Sequence, residues 1–110
     1  LPKIKLESVF LKFSLFKVEG DSMSPSIPRS SYVVIKSTKT FTIKRFFVLN
    51  HPHYGKLIKK LVKIDSKNMF WFQGECPQSV SMNEIGPIKK DQVIGKVILL
   101  ISKKSFKLYT

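Results

Sequence analysis

Residues 22–37 read SMSPSIPRSSYVVIKS, and they join a segment that resists regular structure to one that favours a strand. Prolines and serines interrupt the first ten residues, since proline fixes φ and lacks the backbone donor that helices and sheet ladders use. The following YVVIK is rich in β-branched residues and has the length of a strand. This stretch therefore predicts a loop that leads directly into a β-strand.

Comparable apolar runs lie on both sides of this stretch and are separated by the turn-like segments HPHYG, DSKN and ECPQSVSMNEIGPIKKD. No segment offers a long, capped helical stripe, and no repeat or linker divides the chain. The sequence predicts one mainly β domain over residues 1–110, a small barrel-like or sandwich core of short antiparallel strands. The apolar runs are VFLKFSLFKVE, FTIKRFFVLN, KLIKKLVKID, NMFWFQG and QVIGKVILLIS.

The net charge of +13 suits an anionic partner, either nucleic acid or an anionic membrane surface. Nearly all of the positive charge is lysine, with arginine only at Arg29 and Arg45. Sequence-specific readers of nucleic acid rely on arginine forks, so we expect no specific nucleic-acid partner. The single cysteine, Cys76, excludes an internal disulfide and a zinc site built from thiols.

The N-terminal twenty residues contain three lysines before residue 13 and no apolar run of about 18 residues. This composition predicts neither a membrane span nor a signal peptide. The chain begins with Leu1 rather than Met. If an N-terminal anchor precedes it, we expect association with a membrane; otherwise we expect a cytoplasmic protein.

Residues 20–27, GDSMSPSI, place one serine between an acidic residue and a methionine. This stretch resembles the nucleophile box of type I signal peptidases, which runs Gly-x-Ser-Met-x-Pro-Thr-Leu. Residues 57–62, LIKKLV, are similar to the strand of that family in which the catalytic lysine precedes a basic residue. The resemblance implies Ser22 as the nucleophile and Lys59, 37 residues further on, as the general base.

The resemblance also implies that the neighbours of Ser22 bind the substrate and stabilise its oxyanion. Some relatives carry a hydroxyl at the position of Gly20, so backbone N–H groups at the turn are the expected oxyanion donors here. Met23 is the expected wall of the substrate pocket. The neighbours given these roles are Gly20, Asp21, Met23 and Pro25.

A third, partial match lies in residues 74–97, where GECPQS, GPI and VIGKV follow the family's C-terminal box. Ser81 and Asn83 stand where the family has Asp and Arg. Two earlier Gly-Asp pairs of the family are replaced by Ser-Ser and Phe-Phe. The resemblance thus covers residues 15–101, with several supporting polar residues changed.

A serine-lysine pair needs a neutral amine, but lysine has an ordinary pKa of about 10.4 and keeps its proton at pH 7. Burial among apolar side chains lowers that pKa. Strict alternation selects Lys60 as the buried amine, because Lys60 shares the more apolar face with Ile58 and Val62. Alignment to the family selects Lys59. We choose Lys59, since the family's next residue is basic and Lys60 fits that place.

The resemblance implies a serine endopeptidase of the signal-peptidase type that cleaves an N-terminal leader or precursor protein after small residues without a cofactor. Compact relatives that process nickel superoxide dismutase precursors are similar in length. Self-cleaving repressor-type peptidases share the Ser-Lys arrangement but cut Ala-Gly or Cys-Gly bonds, whereas this chain has no alanine and Pro77 follows Cys76. A basic β-barrel that binds nucleic acid through stacking aromatic residues is the alternative from another class.

His51 and His53, in NHPHYG, raise the alternatives of a metal site and of a Ser-His pair. A metal site needs at least a third ligand, and a Ser-His pair needs a carboxylate that orients the histidine. Neither is evident in the sequence. We therefore predict no metal site and assign no catalytic role to these histidines.

Overall fold

The computed structural model describes residues 13–21, 23–77 and 79–109. Within these ranges the chain forms one open antiparallel sheet in the order β1-β2-β6-β3-β4-β5, and β7 pairs with β6. One short helix, α1, spans Met82–Ile85, and a 3-10 turn spans Lys90–Gln92. The strands are β1 Phe13–Lys17, β2 Tyr32–Lys36, β3 Phe46–His51, β4 Gly55–Ile64, β5 Phe70–Gln73, β6 Val93–Ile101 and β7 Phe106–Leu108.

The sheet packs apolar side chains on both of its sides, in two separate clusters. The first core cluster comprises Val18, Met23, Ile27, Val33, Ile35, Val48, Val97 and Leu100. The second core cluster comprises Phe47, Leu49, Leu61, Phe70, Phe72, Ile85 and Ile88. Successive residues of β3 enter opposite clusters, because side chains alternate across a strand. The β3–β4 hairpin is thus covered on both faces.

Strand β6 holds the sheet together because it pairs with three other strands. It pairs with β2 along one edge and with β3 and β7 along the other. At Gly95 the backbone of β2 approaches closely, and a Cβ there would lie 2.8 Å from the carbonyl oxygen of Lys36. A larger residue at this position would push β2 away from β6.

The predicted mainly β fold of short antiparallel strands is confirmed, and each apolar run of the sequence overlaps one of the strands β1 to β6. The part of the first run before Phe13 lies outside the described residues. Strand β7 and helix α1 were not predicted. Helix α1 begins with a capping box, in which the Ser81 hydroxyl accepts from the Glu84 N–H at 3.2 Å. In the described ranges, no helix has the length and apolarity needed to cross a membrane.

Candidate active site

The loop that carries the predicted nucleophile box, residues 18–31, is closed at its base by backbone hydrogen bonds. The Val18 N–H donates to the Ser31 carbonyl at 2.8 Å, and the Ser30 N–H donates to the Val18 carbonyl at 2.9 Å. Gly20 has a φ of 76°, a conformation that L side chains rarely adopt. We call this segment the box loop. Its two ends are fixed to β1 and β2.

Apolar anchors and internal hydrogen bonds hold the box loop against the first core cluster. Met23 and Ile27 are buried in that cluster, and the Ile27 N–H donates to the Met23 carbonyl at 2.7 Å. The Ser24 N–H donates to the Asp21 carbonyl at 3.0 Å. The predicted nucleophile Ser22 itself lies outside the described residues.

The other predicted site residues of the box loop differ in their exposure. Met23 is buried, in keeping with its predicted place at a pocket wall, whereas Asp21 and Pro25 are exposed. The Asp21 carboxylate lies 3.5 Å from the Arg29 guanidinium in an exposed ion pair. Exposed pairs of this kind contribute little to stability.

Lys59 is buried near the middle of β4, with only 1% of its surface exposed. It lies opposite Phe47 in the β3–β4 ladder, and Leu61 follows it on the same side of the strand. Loss of water on burial lowers the pKa of the Lys59 amine below its usual 10.5, while charge on Cys76 partly opposes this effect. Burial therefore shifts the Lys59 amine towards its neutral form.

Strict alternation selected Lys60 as the buried amine, and this selection is wrong, because Lys60 is only half-buried. The apolar residues Ile58 and Val62 made the Lys60 face look like the core side of β4. The face of Lys59 is the better covered one, since β5 and α1 pack the second core cluster over it. Counting apolar neighbours along one strand cannot detect that cover.

The segment after β5, residues 74–77, connects the two predicted boxes. Glu75 accepts a hydrogen bond from the Ser26 hydroxyl of the box loop, with Oγ and Oε2 3.0 Å apart. The next residue, Cys76, is close enough to Lys59 to influence the pKa of its amine. Sequence reasoning did not give Glu75 or Cys76 a role, although both stand in the GECPQS match. One short segment thus contacts both the box loop and the lysine strand.

A cleft of about 240 Å³ opens beside the box loop, between β1 and the β3–β4 hairpin. Its walls are mainly apolar, and Met23 forms part of them. Charged side chains lie at its rim, where the Lys56 Nζ is 5.2 Å from the centre of the Phe16 ring. A cleft of this size holds one or two side chains of an extended peptide. Its lining residues include Phe16, Lys17, Val18, Glu19, Met23, Val48, Lys56, Leu57 and Ile58.

His51 is buried, and backbone groups occupy both of its ring nitrogens. Its Nδ1 accepts from the N–H groups of His53 and Tyr54, at 3.0 and 3.2 Å. Its Nε2 therefore carries the proton and donates to the Ile85 carbonyl at 2.9 Å. With both nitrogens engaged, His51 joins the β3–β4 turn to α1 and has no free nitrogen to activate a serine. Among the described residues, no group of three or more His, Cys, Asp and Glu is arranged to hold a metal ion.

The model of the Peptidase S24-like family matches residues 4–98, which include the box loop, Lys59 and the segment after β5. The chain belongs to the Peptidase S24-like family. The predicted relationship to peptidases with a Ser-Lys dyad is thereby confirmed. The family match supports a peptidase of the Ser-Lys type, and the self-cleaving repressor type also fits it. No curated protein matches it.

Proposed function

We propose that this chain is a serine endopeptidase in which Ser22 is the nucleophile and Lys59 is the general base. The observation that carries this proposal is the buried Lys59 amine, whose pKa is lowered mainly by loss of water. A lysine serves as a base only when its neutral form is populated at the working pH, and burial is the usual means. Membership in a peptidase family supports the same conclusion.

The box loop packs against the first core cluster, whereas Lys59 lies on the side of the second. The segment after β5 reaches both, and this link supports a common site. Glu75 is bonded to Ser26, four residues after the nucleophile, and its neighbour Cys76 lies by Lys59. Met23, immediately after Ser22, is buried in the first core cluster. The residue that follows the predicted nucleophile is therefore fixed by packing, which favours a defined geometry for attack.

The reaction follows from these roles. The neutral Lys59 amine removes the Ser22 hydroxyl proton as Oγ attacks the scissile carbonyl, and the new C–O bond converts that carbonyl oxygen to an oxyanion. Backbone N–H groups at the turn stabilise the oxyanion. The Lys59 ammonium then gives its proton to the leaving amine as the C–N bond breaks. Water, deprotonated by the same amine, hydrolyses the acyl-enzyme and frees Ser22.

We infer that the substrate is a separate polypeptide, a precursor or leader cleaved after small residues and bound in extended form. The mainly apolar cleft of about 240 Å³ beside Met23 supports this inference, because it offers apolar space for substrate side chains next to the box loop. Self-cleavage is the alternative that the family also allows. The sequence lacks alanine and therefore lacks the Ala-Gly bond that such proteins cut.

The proposal is tested by covalent labelling with a serine-directed alkyl fluorophosphonate, followed by intact-mass and peptide mass spectrometry. We expect one adduct, on Ser22, and loss of that adduct in Ser22→Ala and Lys59→Ala. Lys60→Ala is the matched control, since it removes the neighbouring amine of the same strand. We expect this control to label at the native rate.

The same samples are incubated with a leader peptide that carries small residues before the cut. Cleavage of the peptide by the native chain, and not by Ser22→Ala, supports action on a separate substrate. Fragments of the chain itself that disappear in Ser22→Ala would assign self-cleavage instead. Unchanged labelling of Ser22 in Lys59→Ala would refute the dyad.

A further inference from the structure

One face of the sheet formed by β1, β2, β6 and β7 carries large apolar side chains that are exposed. Cross-strand pairing places side chains in rows on this face, because directly opposed residues of antiparallel strands project to the same side. One row is Lys17, Tyr32, Ile101 and Phe106. The next row is Leu15, Val34, Leu99 and Leu108.

We call this surface the apolar sheet face, and its exposed members are Phe13, Leu15, Tyr32, Ile101, Phe106 and Leu108. Phe106 and Leu108 are each 73% exposed. The opposite side of the same strands is buried, where Val33 and Leu100 belong to the first core cluster. One side therefore forms the core, and the other presents contiguous apolar surface to solvent. Such patches mark interaction sites.

The charge around the apolar sheet face has one sign. No Asp or Glu occurs in β1, β2, β6, β7 or the β6–β7 turn. Lys36 and Lys17 lie on the face itself, and Lys36 Nζ is 6.0 Å from the centre of the Phe13 ring. Lys103 and Lys104 lie in the turn that joins Ile101 to Phe106. The face thus combines exposed apolar groups with lysines at its edge.

A polar cleft of about 420 Å³ adjoins this turn. It offers hydroxyl groups and cationic groups together, a combination that suits a phosphate or carboxylate. One of its cationic groups, Arg29, forms an exposed ion pair with Asp21. The cleft includes Arg29, Ser30, Ser102, Lys103 and Lys104 among its lining residues.

We propose that the apolar sheet face docks onto the surface of an anionic lipid bilayer. Phe106, Leu108 and their neighbours enter the boundary between headgroups and acyl chains, while Lys103, Lys104 and the adjoining cleft contact lipid headgroups. This proposal is independent of the peptidase chemistry, since it uses other residues on the opposite side of the strands from the first core cluster.

Charge and side-chain type favour lipid over the other occupants of such a face. A second copy related by a two-fold axis would bring lysines against lysines without an acid to balance them. Nucleic acid gains stacking from aromatic rings, but it gains nothing from exposed aliphatic side chains such as Leu15, Ile101 and Leu108. Acyl chains take up aliphatic and aromatic side chains alike.

The test is co-sedimentation with vesicles of phosphatidylcholine alone or of phosphatidylcholine with about one third phosphatidylglycerol. We expect binding only to the anionic vesicles, weakened by salt. Phe106→Ser/Leu108→Ser should reduce the partition coefficient at least about tenfold. Lys103→Gln/Lys104→Gln should reduce it about twentyfold.

Two control variants match these changes elsewhere on the molecule. Ile43→Ser/Tyr54→Ser removes exposed apolar side chains outside the face, and Lys89→Gln/Lys90→Gln removes the same charge outside it. Both controls should bind vesicles within about twofold of the native chain. All of these side chains are exposed, and circular dichroism checks that each variant is folded.

Four results overturn the proposal. The first is absence of binding to anionic vesicles at low salt, and the second is an equal loss of binding in the control variants. The third is a native dimer, measured by light scattering, that Phe106→Ser/Leu108→Ser converts to a monomer, which assigns the face to self-association. Binding of single-stranded DNA that the same double variant abolishes, without vesicle binding, also contradicts docking on lipid.

Discussion

His51 and Lys59 are both buried polar side chains of the β3–β4 hairpin, but they are accommodated in different ways. Three backbone groups engage the two ring nitrogens of His51. Lys59 is more deeply buried, and loss of water is the largest influence on the pKa of its amine. One group is fixed by hydrogen bonds, whereas the other is shifted towards its neutral form.

This difference separates a structural role from a chemical one. A buried histidine with both nitrogens occupied stabilises the fold and has no nitrogen left for a substrate proton. A buried lysine with a lowered pKa costs stability but has more of its neutral, proton-accepting form at a given pH, which is the exchange expected at an active site. Sequence position alone does not distinguish the two residues, because both lie in the same hairpin.

The largest expected effect is on peptide cleavage, in Lys59→Arg compared with His51→Ala. Arginine keeps its proton at any working pH, so Lys59→Arg should lower the cleavage rate by about 10²- to 10⁴-fold. His51→Ala, measured per folded molecule, should change the rate by less than about threefold. Strong loss in His51→Ala together with native rates in Lys59→Arg would reverse the two roles.

The second effect is the pH dependence of Ser22 acylation by the fluorophosphonate. The reacting form needs a neutral Lys59, so the rate should rise about tenfold per pH unit until the lowered pKa of that amine is passed. Burial lowers this pKa, so the plateau should begin well below the usual 10.5. In Lys59→Ala the rising limb should be absent. A plateau reached only near pH 10.5 would contradict the effect of burial.

The third effect is on stability, where His51 should matter more than its exposed neighbour. His51→Ala removes the donor to Ile85 and the acceptor for two N–H groups, so we expect a loss of about 2–3 kcal/mol in free energy of unfolding. His53→Ala is the matched control, because only its backbone N–H enters the network. Urea unfolding followed by tryptophan fluorescence measures both, and similar losses in the two variants would argue against the network.

The smallest effect is a gain in stability for Lys59→Met. Replacing the buried amine with an apolar side chain should raise the free energy of unfolding by about 0.5–2 kcal/mol. The folded pKa is lowered, so between it and 10.5 the unfolded chain binds a proton that the folded chain does not. Native stability therefore rises with pH in that window, and the advantage of the variant should shrink there.

Urea titrations at several pH values measure this gain, with Lys60→Met as the control on the half-buried face. We expect Lys60→Met to change stability by less than about 0.5 kcal/mol, without the same pH trend. A destabilised Lys59→Met at every pH would show that the amine makes a net favourable contribution to the fold.

Much of the fold was predictable, since β-branched and aromatic runs of strand length lie in β1 to β6. Strand β7 was missed because Phe106–Leu108 has only three residues, too few to establish an alternating pattern in the sequence. Helix α1 has four residues, too few to show the apolar periodicity of a helix. Its capping box, Ser81 and Glu84, is nevertheless visible in the sequence.

Motifs in the sequence identified the residues of the candidate site. They did not predict which elements pack around those residues. Resemblance selected Lys59 correctly as the buried amine, whereas alternation selected Lys60, because the cover over β4 comes from β5 and α1. The contact of Ser26 with Glu75 joins residues 49 positions apart. The local sequence pattern cannot reveal such a contact, because the contact depends on the order of the strands in the sheet.

The central place of β6 in the sheet also sets an order for biosynthesis. The β1–β2 hairpin and the three-stranded unit β3–β4–β5 each pair strands that are neighbours in sequence. All five strands have been synthesised once Gln73 is reached. The hairpin and the three-stranded unit remain unconnected until Val93–Ile101 inserts between β2 and β3. Chains truncated after residue 92 should therefore be sensitive to protease. Chains truncated after residue 109 should resist digestion. The two parts of the sheet remain unpaired until their common strand has been made, so the synthesis of β6 is the step that commits the chain to its fold.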